Sequence, residues 1–114
     1  MNQGDLLLVP FPFSDQSGRK VRPVIIISND KFNSRSEDII VVGVTSNISR
    51  DYYSPSLRND DLEEGKLFTP CCIKVENILK LEKSLIIKKI GKIKQSKIKE
   101  IVSVIEKIIK MGSN

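Results

Sequence analysis

Four β-branched residues, Val24 to Ile27, stand in a row directly behind Pro23, inside the run Gly18-Arg19-Lys20-Val21-Arg22-Pro23-Val24-Ile25-Ile26-Ile27-Ser28. A short apolar run with this composition, bounded by a proline and a serine, reads as a strand buried on both faces. Pro23 steers Arg22 away from helical geometry and toward extended backbone. A cation is thereby held at the mouth of a rigid strand, which positions it better than a flexible loop would. Its planar guanidinium suits an anion with forked acceptors, of which phosphate is the usual one. Arg19 and Lys20 precede it in the loop that starts at Gly18. The alternative is that these three cations are ordinary solvated turn charges.

Two further apolar runs read as core strands: Asp5 to Val9, ended by Pro10, and Asp38 to Val44. Pro10-Phe11-Pro12-Phe13 is excluded from helix because alternate prolines remove donors and fix φ. Phenylalanines on such an extended segment can stack on bases, or they can lid the core. The third run delivers Thr45-Ser46-Asn47 at its tip, where polar side chains can meet a ligand or cap the next turn. Asn29 is placed to cap a helical turn over residues 30–33, and residues 48–65 read as the least ordered stretch. Alternation from Leu67 to Val75 gives a half-exposed strand with Cys71, Ile73 and Val75 on one face. Glu76 to Leu81 reads as a turn or connecting helix, and Ser84 to Ile93 as a last strand with a bulge at Gly91. Ile98, Ile101, Val102, Ile105, Ile108 and Ile109 then follow helical spacing, with Ser96 as the expected cap. About five short strands and one amphipathic helix make an α+β, barrel-like domain spanning residues 1–114.

The chain of 114 residues has no histidine. That removes the commonest general base, the commonest transition-metal ligand and every nucleophile pair that relies on imidazole. Asp60, Asp61, Glu63 and Glu64 cluster before Gly65 without the spacing of a calcium loop, and read as a solvated turn. No metal and no cofactor are expected. Cys71 and Cys72 are adjacent, which makes a poor disulfide and a poor metal site; on a strand one points inward and the other outward. The net charge of +5 is uneven. Residues 1–65 carry 7 Lys/Arg and 10 Asp/Glu, net −3, and residues 66–114 carry 12 and 4, net +8. The basic half can attract a polyanion or merely solvate a helix face. With no apolar run of membrane-spanning length and no basic, apolar leader, a cytoplasmic location is expected.

In this order the residues resemble the MazF/PemK toxin family. The resemblance rests on Gly4-Asp5 leading a strand, Pro10-Phe11-Pro12-Phe13, Gly18 followed by Arg22-Pro23 and its strand, Val44-Thr45-Ser46-Asn47, and Leu81-Glu82-Lys83-Ser84-Leu85 before a last strand and helix. It spans nearly the whole chain. It implies a small SH3-like β-barrel of the CcdB/PemK kind, a homodimer, and a toxin of a type II toxin–antitoxin system. It also implies an endoribonuclease that cleaves single-stranded RNA without metal, held in check by an antitoxin with an acidic segment. By position, Arg22 and Thr45 match the family's catalytic arginine and threonine. Phe11, Pro12, Arg19, Lys20 and Ser46 fall where the family contacts substrate or antitoxin, and Asn47 joins Ser46 at the strand tip as an RNA-binding candidate. Many relatives place Glu or Gln shortly after the loop glycine, where Arg19 and Lys20 stand here, giving a more cationic groove. The alternative from another class is a non-catalytic binder on the same fold, either a gyrase-poisoning toxin of the CcdB type or an inactive relative kept for antitoxin binding.

Overall fold

A computed structural model of the protein describes residues 1–10, 21–48 and 51–112. Seven strands, β1 (Asp5–Pro10), β2 (Val21–Ile26), β3 (Asp38–Thr45), β4 (Ser56–Leu57), β5 (Leu62–Gly65), β6 (Cys71–Glu82) and β7 (Lys88–Ile93), form one sheet in the order β4-β6-β3-β2-β1-β7-β5. Every pairing is antiparallel. Helix α1 (Asp30–Arg35) joins β2 to β3, and α2 (Gln95–Ile109) follows β7.

Strands β1, β2 and β3 are buried on both faces, and the two-residue period sorts their side chains into two cores. Leu6, Ile25, Val42 and Val44 enter one cluster with Leu57, Leu62, Ile73, Ile93, Ile101 and Val104. Leu7, Val9, Val24, Ile26, Ile39, Val41 and Leu81 form the other. Leu57 and Leu62 belong to the terminal strands β4 and β5, yet both pack into the first cluster, so the sheet curls around that core and α2. The terminal strands are not hydrogen-bonded neighbours. The barrel-like fold expected from the sequence is therefore present as a curled sheet left open at one seam.

Several elements differ from the sequence reading. β4 and β5 lie in the stretch read as least ordered; each is short and buries a single leucine, too little for a periodic signal. The span 76–81, read as a turn or helix, continues β6 to Glu82, because a three-residue offset lets it stay paired with β3 (Val42 opposite Ile78, Gly43 opposite Lys74). The last strand is shorter than read, a 3₁₀ turn occupying Lys83–Leu85, while the irregularity beside Gly91 is observed as a register shift between Gly91 and Lys89. Cys71 and Cys72 are both free and both buried, so neither points into solvent.

Asn29 caps α1 as read, its Oδ1 accepting from the Phe32 N–H at 2.9 Å. The N-terminal residue before α2 is Lys94, however, and Ser96 lies inside the first turn without capping it. The helix buries Lys97, Ile101 and Val104 and leaves Val102 and Ile109 exposed, a face rotated from the one expected. Lys97 lies on the buried face with its charge met: its Nζ is 2.7 Å from Glu100 and 3.6 Å from Asp61, the second ion pair tying the helix to the turn before β5. Asp61 is thus a structural carboxylate rather than part of a merely solvated turn.

Candidate active site

Pro23 has no N–H to donate, and the pairing of β2 with β3 ends next to it, at Val24 opposite Gly43. Arg22 lies two residues before Val24, and Thr45 two residues after Gly43. The two-residue period puts both on the same face of the sheet, just past the end of the ladder. Arg22 is nevertheless anchored, because β2 stays paired with β1 there and Arg22 stands opposite Val9. Thr45 is held from the other side, opposite Cys72 of β6.

These two half-buried residues line two cavities at once. The first, of about 250 Å³, is bounded by Arg22, Pro23, Gly43, Val44, Thr45, Asn47, Lys74 and Asn77. The second, of about 410 Å³, shares Arg22, Pro23, Val44 and Thr45 and runs over Leu8, Val21 and Ile90 to Ser46, Lys88 and the loop of residues 66–69. No carboxylate stands among the described residues that line either cavity. Lys66, Lys74 and Lys88 all come from the basic half of the chain, so part of its net charge of +8 is spent on these walls.

The turn after β3 has a defined shape. The Asn47 N–H donates to Thr45 Oγ1 at 3.0 Å, and the Cys72 thiol donates to the Asn47 carbonyl at 3.7 Å. Accepting from Asn47 orients the Thr45 hydroxyl and leaves its proton for donation to a bound oxygen. A planar cation and an oriented hydroxyl bordering one concave surface can hold a tetrahedral oxyanion, the first by two N–H groups and the second by one O–H.

Of the residues singled out from the sequence, Arg22, Thr45, Ser46 and Asn47 are brought together: Asn47 faces the first cavity, Ser46 the second, and the other two face both. Phe11, Pro12, Arg19 and Lys20 lie outside the described residues. Sequence reasoning missed Lys66, Phe68, Lys74, Asn77 and Lys88. Lys74 had a signal, standing on the polar face of the alternation in β6. Asn77 had none, because it reaches Gly43 (3.5 Å from an ideal Cβ there) only through the offset in β6. Burial raises the pKa of the Cys71 thiol, the neighbouring Cys72 adding to the shift, so this core sulfur is held as the unreactive thiol.

A curled antiparallel sheet closed by a C-terminal helix, with a cationic groove at the ends of its central strands, defines a small β-rich fold with solved counterparts. Solved structures of the same shape are an endoribonuclease in complex with its cognate antitoxin from a mycobacterial species (TM-score 0.78, 15% identity, 100% of this chain and 99% of that one). The Mycobacterium tuberculosis toxin MazF-mt6 (0.75, 15%, 96% and 99%) and a MazE–MazF complex from Deinococcus radiodurans (0.74, 15%, 98% and 97%) match similarly. At that identity the likeness is one of fold. Sequence then gives the family: residues 2–109 match the model of the PemK-like, MazF-like toxin of type II toxin–antitoxin system. Endoribonuclease MazF of Staphylococcus saprophyticus is 31% identical over 109 residues, which cover 93% of this chain and 88% of that protein. The chain belongs to the PemK-like, MazF-like toxin family.

Proposed function

We propose that this toxin is an endoribonuclease that cuts single-stranded RNA through attack of the substrate's own 2′-hydroxyl, with Arg22 and Thr45 at the scissile phosphate. The observation that carries the reading is the lining of the two joined cavities: an arginine, an oriented threonine hydroxyl and three lysines, with no carboxylate among the described residues to repel a polyanion. RNA supplies its own nucleophile, so the protein need only hold the strand in line and stabilise charge as it builds on the phosphoryl oxygens. Arg22 donates to two of those oxygens. It holds its own proton too tightly to act as an easy base, so its part is electrostatic. Thr45 donates to a third oxygen or steers the departing 5′-oxygen. The 2′-oxygen forms a bond to phosphorus as the bond to the 5′-oxygen breaks, giving a 2′,3′-cyclic phosphate and a free 5′-hydroxyl. Ser46 and Asn47 contact the strand beside the phosphate, and Phe11, Pro12, Arg19 and Lys20 are RNA-binding candidates through their match to family positions.

The cationic groove also suits the acidic segment of an antitoxin, and the protein acts in the cytoplasm as a homodimer. Incubation of the purified protein with single-stranded RNA in excess chelator tests the enzymatic reading. It expects fragments ending in a 2′,3′-cyclic phosphate, identified by mass. RNA that is bound but stays intact at high protein concentration would overturn it in favour of a non-catalytic binder.

A further inference from the structure

Phe68 is fully exposed, more so than any other apolar side chain among the described residues. Single exposed apolar residues are ordinary. This one is presented by a clamped loop. Leu67 beside it is buried in the first core, and the Asn59 side chain grips the Leu67 backbone from both sides, its Oδ1 accepting from Leu67 N–H at 2.7 Å and its Nδ2 donating to Leu67 O at 3.4 Å. Two residues past Phe68, Pro70 fixes φ immediately before β6 begins at Cys71. Four residues spanning Leu67 to Pro70 are thus tied at both ends, and the ring is held out in water where nothing in the described chain packs on it.

Phe68 lines the larger of the two cavities together with the apolar Val21 and Ile90 and with Arg22 and Thr45. Lys66 and Lys88 line the same cavity. An exposed aromatic ring, apolar side chains and lysines around one cavity are the parts with which proteins hold single strands, stacking on the base while cations follow the backbone.

We propose that Phe68 is a stacking platform for a nucleobase next to the scissile phosphate, with the base seated in the cavity between Phe68 and Arg22. The proposal rests on the single-stranded RNA reading above and adds the residue that positions the strand. Because every base has an aromatic face, the contact sets register and affinity and tolerates sequence. Phe68 acts by positioning and takes no part in bond breaking.

The test uses the full chain and two probes that cannot be cleaved: a randomised single-stranded 2′-deoxy oligonucleotide, and an abasic sugar-phosphate strand of the same length. Phe68→Leu keeps apolar bulk and removes the aromatic face; Phe68→Trp restores it. Since the side chain is fully exposed, both variants are expected to melt with the wild type. Binding is read by fluorescence anisotropy. Phe68→Leu is expected to bind the ordinary strand between about 5- and 150-fold more weakly, the range one stacked base gives. Its affinity for the abasic strand should be unchanged, and Phe68→Trp should recover the wild-type value. An equal loss on both strands, or no loss on either, would overturn the proposal. The two readings fail separately: absence of RNA cleavage removes the enzymatic assignment, while the coupling between ring and base is measured on strands that are never cut.

Discussion

The segment that carries Arg22 and the segment that carries Phe68 border one cavity and are held by different physics. Arg22 sits on β2, whose Val24, Ile25 and Ile26 are essentially without solvent contact, between two long partner strands. Phe68 sits beyond the short β5, in a region where Asn59 clamps Leu67, Asp61 accepts from the Arg58 N–H at 2.8 Å, and Lys97 reaches Asp61 from α2. The first segment is fixed by burial of apolar surface and the second by individual polar contacts and backbone fit. A substitution in the first cavity wall can therefore cost chemistry while leaving the fold alone, whereas several small losses in the second region cost stability directly.

The largest expected effect lies on the chemical side. Arg22→Ala should lower kcat for RNA cleavage by about 100- to 1,000-fold, as loss of one preorganised donor to a developing oxyanion does. The melting temperature should stay near that of the wild type, because Arg22 is only half-buried and stands past the last β2–β3 pair. A variant that loses activity only in proportion to its folded fraction would show that Arg22 is a structural residue. The comparison would then collapse.

That same contrast explains what could be read from the sequence. Asp5–Pro10 and Asp38–Thr45 are written in runs of Leu, Val and Ile and end within one residue of their expected ends, whereas β2, expected from Val24, begins three residues earlier at Val21 because its pairing with β1 continues past Pro23. Arg22 and Thr45 were legible because each adjoins such a run. The region from Ser56 to Gly65 hides its strands, since an apolar leucine among Arg, Asn, Asp and Glu carries no period. Nor could the sequence reveal that Gly65 lies opposite Gly91, where two backbones meet without side chains between them. Polar clamps are invisible for the same reason: Asn59 and Leu67 are eight residues apart, and Lys97 and Asp61 are further still, so nothing local links them.

Gly65→Ala examines that backbone fit. Gly65 has φ +86°, and a Cβ there would stand 2.3 Å from the Ile90 carbonyl oxygen and 2.7 Å from the Gly91 Cα. An L-residue in the left-handed region loses roughly 1–2 kcal/mol before any clash. Contact with backbone that cannot swing aside adds to that, so the variant should lose at least about 2 kcal/mol in urea unfolding. An unchanged midpoint would mean that β5 can part from β7 without loss, leaving the Phe68 side of the cavity unanchored.

Lys97→Met examines a polar clamp. The lysine side chain is only 10% exposed, but its partners Asp61 and Glu100 are 25% and 48% exposed and can be re-solvated when it is removed. The several kcal/mol lost on breaking a fully buried pair is therefore discounted here to about 1 kcal/mol. Methionine keeps most of the packing volume, so the deficit should be electrostatic and should shrink with added salt. A deficit insensitive to salt would point to packing instead.

The smallest effect concerns Lys89, whose Nζ lies 3.4 Å from Asp5 and 3.3 Å from Glu64 and so links β1 to β5 across β7. Burial works to lower the pKa of this ammonium. The Glu64 hydrogen bond and the charges of Asp5 and Glu64 outweigh it, and the value stands above the ordinary lysine range. Because the folded pKa is raised, the stability Lys89 contributes is fully present below the unfolded value of about 10.4 and is lost as pH rises through the folded one. Asp5 is buried and needs this cation, but Lys89 itself is 41% exposed, so water screens the pair and the contribution is small. The stability gap between wild type and Lys89→Met should hold constant from about pH 6 to about pH 9 and close above about pH 10.4, measured by unfolding at each pH. A gap that persists through the alkaline range would assign the effect to the aliphatic stem of the lysine packing on the sheet, making this contact apolar in kind like those that hold Arg22.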